Sequence, residues 1–270
     1  MKKLILVTFA SLFAAIGCAH AEAPAADAAA PKTGPFYNMY PSQLAPAAEA
    51  YFGEWNKTLF KEGPIETKAA RLAAIAASAA MKCEYCITAQ AMLGKAAGAS
   101  DDEIKGATQI AAEISRFSVL LYGNEFGQDN LMAILKKMTQ KPAPDAKPAA
   151  EAAASDAPKK SPFHKMYPAQ LAPAAESYFG EWNKVLFKTG PIDSKTARLA
   201  AVAASAAMKC EYCITAQVVL AKAAGATDDE IKGAIQIAAE IGRFSILLYG
   251  NEFGQDKLKA ILEKMTQKPA

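Results

Sequence analysis

The apolar positions recur every three to four residues along most of this chain, which is the period of an amphipathic α-helix. One such stripe consists of Tyr51, Phe52, Trp55 and Leu59. Pro46 suits the first turn of the helix that carries this stripe, because proline has no amide hydrogen to donate there. The stripe predicts a first helix whose aromatic face packs in a core.

Further helix boundaries follow from local signals. The sequence contains terminators such as Gly63-Pro64 and Gly98, and Ser100 to Glu103 have the spacing of a capping box. No segment alternates apolar and polar residues as a strand would. The sequence therefore predicts an all-α fold with five to six helices per unit: one after Pro46, one from Glu66 to Ala80, one from Cys83 to Gly98, one from Ser100 past Leu121 and one after Gly127.

This helical unit occurs twice. Residues 35–143 match residues 162–270 at a constant offset of 127, and 89 of the 109 aligned positions are identical. Each copy is the size of a domain rather than of a short solenoid repeat. The expected organisation is a signal peptide (1–21), a flexible leader (22–34), a first helical domain (35–141), an Ala/Pro-rich linker (142–161) and a second helical domain (162–268).

The amino terminus has the order of a secretory signal. A basic start precedes a short apolar run and the small-residue motif Ala19-His20-Ala21. Cleavage after Ala21 would give a soluble periplasmic protein, which is the expected location. As an alternative, Ala15 to Cys18 resembles a lipobox, and a lipid on Cys18 would then anchor the protein to a membrane.

Composition narrows the classes of function. The formal net charge of +3 is small and dispersed, whereas a nucleic-acid-binding surface needs a clustered basic stripe. The chain has five cysteines and only two histidines. Cys18 lies in the predicted signal, so the remaining cysteines form two matched pairs.

Each copy contains the motif Cys-Glu-Tyr-Cys, with Cys83 and Cys86 in the first and Cys210 and Cys213 in the second. Positions i and i+3 share a face of a helix, so the two sulfurs can reach each other. Amide groups at a helix start stabilise a thiolate and make it more reactive. The motif is chemically suited to a reversible dithiol–disulfide couple.

Other interpretations of the motif are weaker. A zinc site needs about four ligands, and a haem attachment site needs histidine where Ile87 and Ile214 stand. We therefore expect neither a metal nor a cofactor. A purely structural disulfide stays open as an alternative, although so short a loop removes little entropy from the unfolded chain.

The stretch from Arg71 through Cys83-Glu84-Tyr85-Cys86 to Ala96–Ile104 closely resembles the carboxymuconolactone decarboxylase/AhpD-like (alkylhydroperoxidase D) family. The resemblance covers about residues 41–126 and 168–253. It implies an all-helical fold, assembly as trimers or hexamers of domains, and thiol-dependent peroxidase or disulfide-reductase activity. It also implies that Cys86 and Cys213 attack the substrate, while Cys83 and Cys210 close the disulfide.

The sequence departs from that family at its proton relay. Gln90 and Gln217 stand where the peroxidases have histidine, and Arg71 and Arg198 stand where they have glutamate. Glutamine cannot act as a general base near neutral pH, whereas arginine can stabilise a thiolate. The remaining candidate proton handlers are the pairs Glu84/Glu211, Tyr85/Tyr212 and Glu113/Glu240.

We therefore expect an exported thiol oxidoreductase that reduces a hydroperoxide or a protein disulfide and is restored by an unidentified thiol reductant. The alternative is a non-catalytic helical assembly or binding module with structural disulfides. Lactone decarboxylation is disfavoured, because a family name does not supply catalytic residues. The expected assembly is a homotrimer of tandem chains.

Overall fold

The computed structural model describes residues 34–139 and 161–267, and within these two ranges all regular structure is helical. The all-α prediction is therefore confirmed. The predicted signal, Cys18 and nearly all of the leader and the linker lie outside the described residues. Each copy begins with a short 3-10 turn, at Tyr37–Met39 and His164–Met166. The α-helices are α1 (Ala45–Phe60), α2 (Thr67–Ala80), α3 (Glu84–Ala96), α4 (Asp101–Gly123), α5 (Gln128–Thr139), α6 (Ala172–Phe187), α7 (Ser194–Ala207), α8 (Glu211–Ala223), α9 (Asp228–Gly250) and α10 (Gln255–Thr266).

The predicted helix boundaries rest on local hydrogen bonds. The Ser100 hydroxyl accepts the Glu103 amide at 3.1 Å, and the Glu103 carboxylate accepts the Ser100 amide at 2.8 Å. Thr227 and Glu230 repeat this capping box in the second copy. Gly98 follows α3 with φ +85°, a backbone conformation that glycine adopts without steric cost. None of the helices in the described ranges has the length and apolarity to cross a bilayer.

Helices α2 and α7 form the centre of the molecule and pack against each other. Every residue of α2 from Ala69 to Ser78 is buried, as expected of a helix surrounded by protein. Leu72 and Ile75 face one hydrophobic cluster, whereas Ala73 and Ala74 face another. The small side chains allow the two central helices to approach closely.

The two copies share their cores. One cluster combines Trp55, Phe60 and Cys86 of the first copy with Phe244 and Leu258 of the second. The other cluster makes the reciprocal combination. The repeat units predicted as two domains therefore pack together as one compact unit, in which each copy completes the core of the other.

Two glycines lie where the two copies pack most closely against each other. A Cβ atom added to Gly106 in α4 would lie 3.2 Å from the Cδ1 atom of Ile192 in the second copy. One added to Gly233 in α9 would lie 3.1 Å from the Cγ atom of Pro64 in the first copy. Such distances leave almost no room for a side chain. Glycine at both positions allows each long helix to contact the loop that precedes the other copy's central helix.

Enlarging an alanine in this centre is expected to destabilise the protein. Ala74 and its counterpart Ala201 have no exposed surface, so Ala74→Leu with Ala201→Leu must displace packed neighbours. We expect a loss of roughly 2–6 kcal/mol in the free energy of unfolding for the pair of substitutions. Urea denaturation followed by circular dichroism measures it. The control is Ala96→Leu with Ala223→Leu, on exposed positions of α3 and α8, and an equal loss there would contradict the prediction.

Candidate functional site

The cysteine motif sits at a sharp corner between α2 and α3. Lys82 adopts φ +56°, an uncommon conformation for a residue with a side chain, and Lys209 repeats it with φ +57°. The Cys83 amide then donates to the Ser78 carbonyl at 3.1 Å, which closes α2 in the manner of a Schellman motif. This corner places Cys83 immediately before the first turn of α3.

Cys83 is the N-cap of α3, and its sulfur accepts the Cys86 amide at 3.2 Å. The Cα atoms of Cys83 and Cys86 are 5.2 Å apart, and the two sulfurs are close enough to form a disulfide. Cys210 and Cys213 repeat this geometry, also with a Cα separation of 5.2 Å. All four cysteines are at least 97 % buried, so a large partner cannot contact the sulfurs without local movement.

The second copy holds the cysteine helix of the first. The Glu84 amide, at the start of α3, donates to the Tyr249 hydroxyl of α9 at 3.1 Å. The Tyr85 hydroxyl accepts the Gly254 amide at 3.2 Å. The Sγ atom of Cys86 lies 3.8 Å from the Ile241 carbonyl oxygen of α9. Each cysteine pair is therefore positioned by both copies, because the reciprocal contacts form around α8: Glu211 with Tyr122, Tyr212 with Gly127, and Cys213 with Ile114.

An open cavity adjoins each pair, and the one beside the first pair spans about 590 Å³, a volume that includes open solvent. Of the two cysteines in the first motif, Cys86 lines the cavity and Cys83 does not. In the second copy, Cys213 lines a cavity of about 570 Å³ and Cys210 does not. A small molecule in the cavity would therefore meet the second cysteine of each motif first.

The two residues that replace the family's proton relay lie together in the cavity wall. Arg71 Nη1 donates to Gln90 Oε1 at 2.9 Å, and Arg198 makes the same bond with Gln217. The Arg71 guanidinium lies 3.6 Å from the centre of the Phe60 ring. Burial lowers the pKa of Arg71 to about 10, so the side chain remains cationic at neutral pH. The position supplies positive charge and hydrogen-bond donors instead of a titrating base.

Glu113 and Glu240 are held in a separate polar network. Glu240 is 4 % exposed, accepts the Tyr51 hydroxyl at 2.6 Å and pairs with Arg243 at 2.9 Å. The hydrogen bond to Glu240 raises the pKa of Tyr51. Glu113 makes the equivalent contacts with Tyr178 and Arg116. These carboxylates connect α1 or α6 of one copy to the long helix of the other, which is a structural reason for their burial.

Arg243 and Arg71 should differ in their effect on stability, because only Arg243 pairs with a carboxylate among the described residues. Arg243→Met would leave Glu240 buried without its cation, so we expect a loss of roughly 2 kcal/mol after allowance for the partial exposure of Arg243. Arg71→Met removes a buried charge that has no carboxylate partner among the described residues. We expect that variant to stay within about 1 kcal/mol of the wild type. Urea denaturation of both variants checks this, and a larger loss for Arg71→Met would contradict it.

Sequence reasoning did not identify several residues of the cavity wall. Trp55 and Phe52 were expected in the core, and the structure places them both there and at the cavity. Asn56 also lines the cavity, as do Phe244 and Leu258 of the second copy. The i+3 spacing of Phe52 and Trp55 indicates that they share a helix face. Nothing in the sequence near these two residues indicates that Phe244 and Leu258 of the second copy lie opposite them.

Within the two described ranges, no group of three or more His, Cys, Asp or Glu residues is arranged to hold a metal ion. The site is thus defined by a cysteine pair, an arginine–glutamine pair and an apolar cavity, and it occurs twice, each time with residues from both copies.

The sequence matches the carboxymuconolactone decarboxylase family over residues 46–127 and 173–253, which together exceed half of the chain. The chain therefore belongs to that family, and the two matched segments confirm the tandem repeat. It is also similar to the "Uncharacterized protein 4 in cox locus" of Paracoccus denitrificans, with 36% identity over 70 residues. That alignment covers 26% of this chain and 63% of the relative's length. No solved structure matches the chain significantly.

Proposed function

We propose that this protein is a thiol-dependent oxidoreductase that reduces a hydroperoxide or a disulfide at each cysteine pair. The observation that carries the proposal is the position of the second cysteine. Cys86 and Cys213 line the cavities, whereas Cys83 and Cys210 stand behind them at the helix caps. This division suits an attacking thiol that meets the substrate and a resolving thiol that completes the disulfide.

With a hydroperoxide, the Cys86 thiolate attacks the terminal oxygen and breaks the O–O bond. The products are a sulfenic acid on Cys86 and an alkoxide, which takes a proton to become an alcohol. The Cys83 thiolate then attacks the Cys86 sulfur and displaces hydroxide, which leaves as water after protonation. A dithiol reductant returns two electrons and two protons to the protein.

Arg71 contributes a positive charge to the cavity wall, whereas the histidine of the family's peroxidases would accept a proton. A cation in the same cavity wall as Cys86 favours the thiolate over the thiol, and the amides at the start of α3 act in the same direction. The proposed attack by Cys86 therefore relies on this positive environment and not on a neighbouring general base. The proton for the leaving alkoxide would come from water that reaches the cavity.

Export and self-association belong to the same proposal. Residues 1–21 have the composition of a secretory signal, with acylation of Cys18 as the alternative, and would bring the protein to the periplasm. Val119 and Ile246 occupy equivalent positions of α4 and α9 and are 72% and 74% exposed. We propose a homotrimer of tandem chains, and these two exposed side chains are candidate contacts between its subunits. Intact-mass analysis and sedimentation of the purified protein test these two parts.

A thiol titration tests the redox proposal. The purified chain is reduced, separated from the reductant and exposed to cumene hydroperoxide or to a small disulfide. We expect loss of four thiols per chain as two disulfides form, with one equivalent of hydroperoxide consumed for each. A dithiol added afterwards should restore the four thiols.

The alternative of structural disulfides predicts a different outcome. Pairs that only brace the helix corner have no opening that admits a thiol, so they would resist a dithiol in the folded protein. If the thiols appear only after unfolding, or if neither oxidant consumes them, the oxidoreductase proposal is wrong.

A further inference from the structure

The wall of each cavity carries hydrogen-bond donors but no acidic side chain. In the first cavity the polar side chains are Asn56, Arg71, Cys86 and Gln90, and the described lining contains no Asp or Glu. Gln90 uses its carbonyl oxygen to accept from Arg71, so its amide nitrogen can donate to a further group. The cavity therefore presents a positive, donor-rich wall.

Arg71 and its counterpart Arg198 differ from the two other arginines of the chain. Arg116 and Arg243 each pair with a glutamate at 2.9 Å. Arg71 is only 9 % exposed, yet its hydrogen bond within the described residues is to the neutral amide of Gln90. A buried charge normally has a partner, because desolvation is costly when nothing compensates it. The Phe60 ring at 3.6 Å and the Gln90 amide contact Arg71, but no anion balances its charge within the described residues, so a ligand is the candidate source of that anion.

The rest of the wall is apolar. It combines aromatic rings with aliphatic residues of α9 and α10, and the half-exposed Met265 lies at its rim. Such a surface suits a hydrocarbon body, whereas the guanidinium suits an anionic oxygen group.

We propose that each cavity binds an apolar monocarboxylate, such as a medium-chain fatty acid, with its carboxylate against Arg71 or Arg198 and its hydrocarbon chain along the apolar wall. A carboxylate matches the planar guanidinium and can accept a hydrogen bond from the glutamine amide. The inference does not rest on the redox reaction proposed above, since binding requires no change at the cysteines.

The fluorescence of the protein's own tryptophans can be used to follow this binding. It contains two tryptophans, Trp55 and Trp182, and each lines one cavity. Decanoate is titrated into the full-length protein with its disulfides intact, and tryptophan fluorescence is followed below the concentration at which decanoate aggregates. Calorimetry gives the number of sites. We expect saturable binding of two decanoates per chain, and at least about tenfold weaker binding of decanol, which has the same chain without the charge.

Two variants test whether the carboxylate of decanoate binds at Arg71 and Arg198. Arg71→Met alone should reduce the number of tight decanoate sites from two to one, because each copy has its own cavity. Arg71→Met with Arg198→Met should bind decanoate and decanol about equally. Equal binding of the two ligands to the wild-type protein, or no saturable binding of decanoate, would overturn the proposal even if the variants failed to fold. Thiol reactivity measured separately leaves the redox proposal independent of this result.

Discussion

Replacing Cys86 and Cys213 by serine is expected to reduce hydroperoxide turnover by on the order of a thousandfold or more, to the uncatalysed level. Each residue supplies the sulfur that lines its cavity, and serine is not ionised near neutral pH. The measurement is the rate of cumene hydroperoxide loss with a dithiol as reductant. Activity at the wild-type level in this double variant would contradict the assignment of the attacking thiols.

The matched control exchanges the other cysteine of each pair. In Cys83→Ser with Cys210→Ser, the cavity-facing sulfur remains, so one hydroperoxide per site should still be consumed. The product should be a sulfenic acid that a dimedone probe traps, because no neighbouring thiol can displace it. If this variant also fails to react, the attacking and resolving roles are not divided as the cavities indicate.

Single-copy variants measure whether the two sites act independently. Cys86→Ser leaves Cys213 unchanged in the other cavity, so about half of the wild-type turnover is expected if the sites do not interact. We expect half of the turnover because the two sites have similar geometry, and both cysteine pairs have a Cα separation of 5.2 Å. A much larger loss would show that the copies communicate through their shared cores.

The two repeat copies are expected to depend on each other for folding. Residues 35–141 expressed alone are not expected to persist as a folded monomer, because Trp55, Phe60 and Cys86 would lose the partners that the second copy provides. We expect this fragment to fold as a homodimer, since 89 of 109 repeat positions are identical and each copy can replace the other. Light scattering after size exclusion, together with circular dichroism, measures the mass and the helicity.

The intact chain is the control for this experiment, and the fragment 162–268 is its counterpart. A mixture of the two fragments should also form a heterodimer with the same contacts as the tandem chain. A helical monomer of 35–141 with a cooperative unfolding transition at micromolar concentration would contradict the prediction. Such a result would mean that α1 to α5 can bury their apolar faces against one another without α9 and α10.

Much of the fold was accessible from local patterns. Capping at Ser100 and Thr227, the stop at Gly98 and the proline in the first turn of α1 each involve residues within a few positions of one another. The same locality placed Cys83 and Cys86 at a helix start. Short-range signals predict helices well here because each helix end must satisfy its own backbone groups nearby.

The candidate site was only partly accessible. The family resemblance drew attention to Arg71 and Gln90, and the structure brings their side chains to 2.9 Å from each other. The cavity, the role of Trp55 in its wall and the missing counter-ion of Arg71 depend on which helices surround them. Spacing along one helix does not show what lies opposite its apolar face.

The sequence by itself determined the helices, the tandem repeat and the position of each cysteine pair at the start of a helix. Only the tertiary structure decided that α9 and α10 of the second copy complete the cysteine site of the first, and that the reverse holds for the other site. The physical reason is that helix periodicity specifies a face to be buried, whereas packing chooses its partner. Because the two copies are nearly identical, an apolar helix face could pack against its own copy or against the other one. In this structure these faces pack against the other copy.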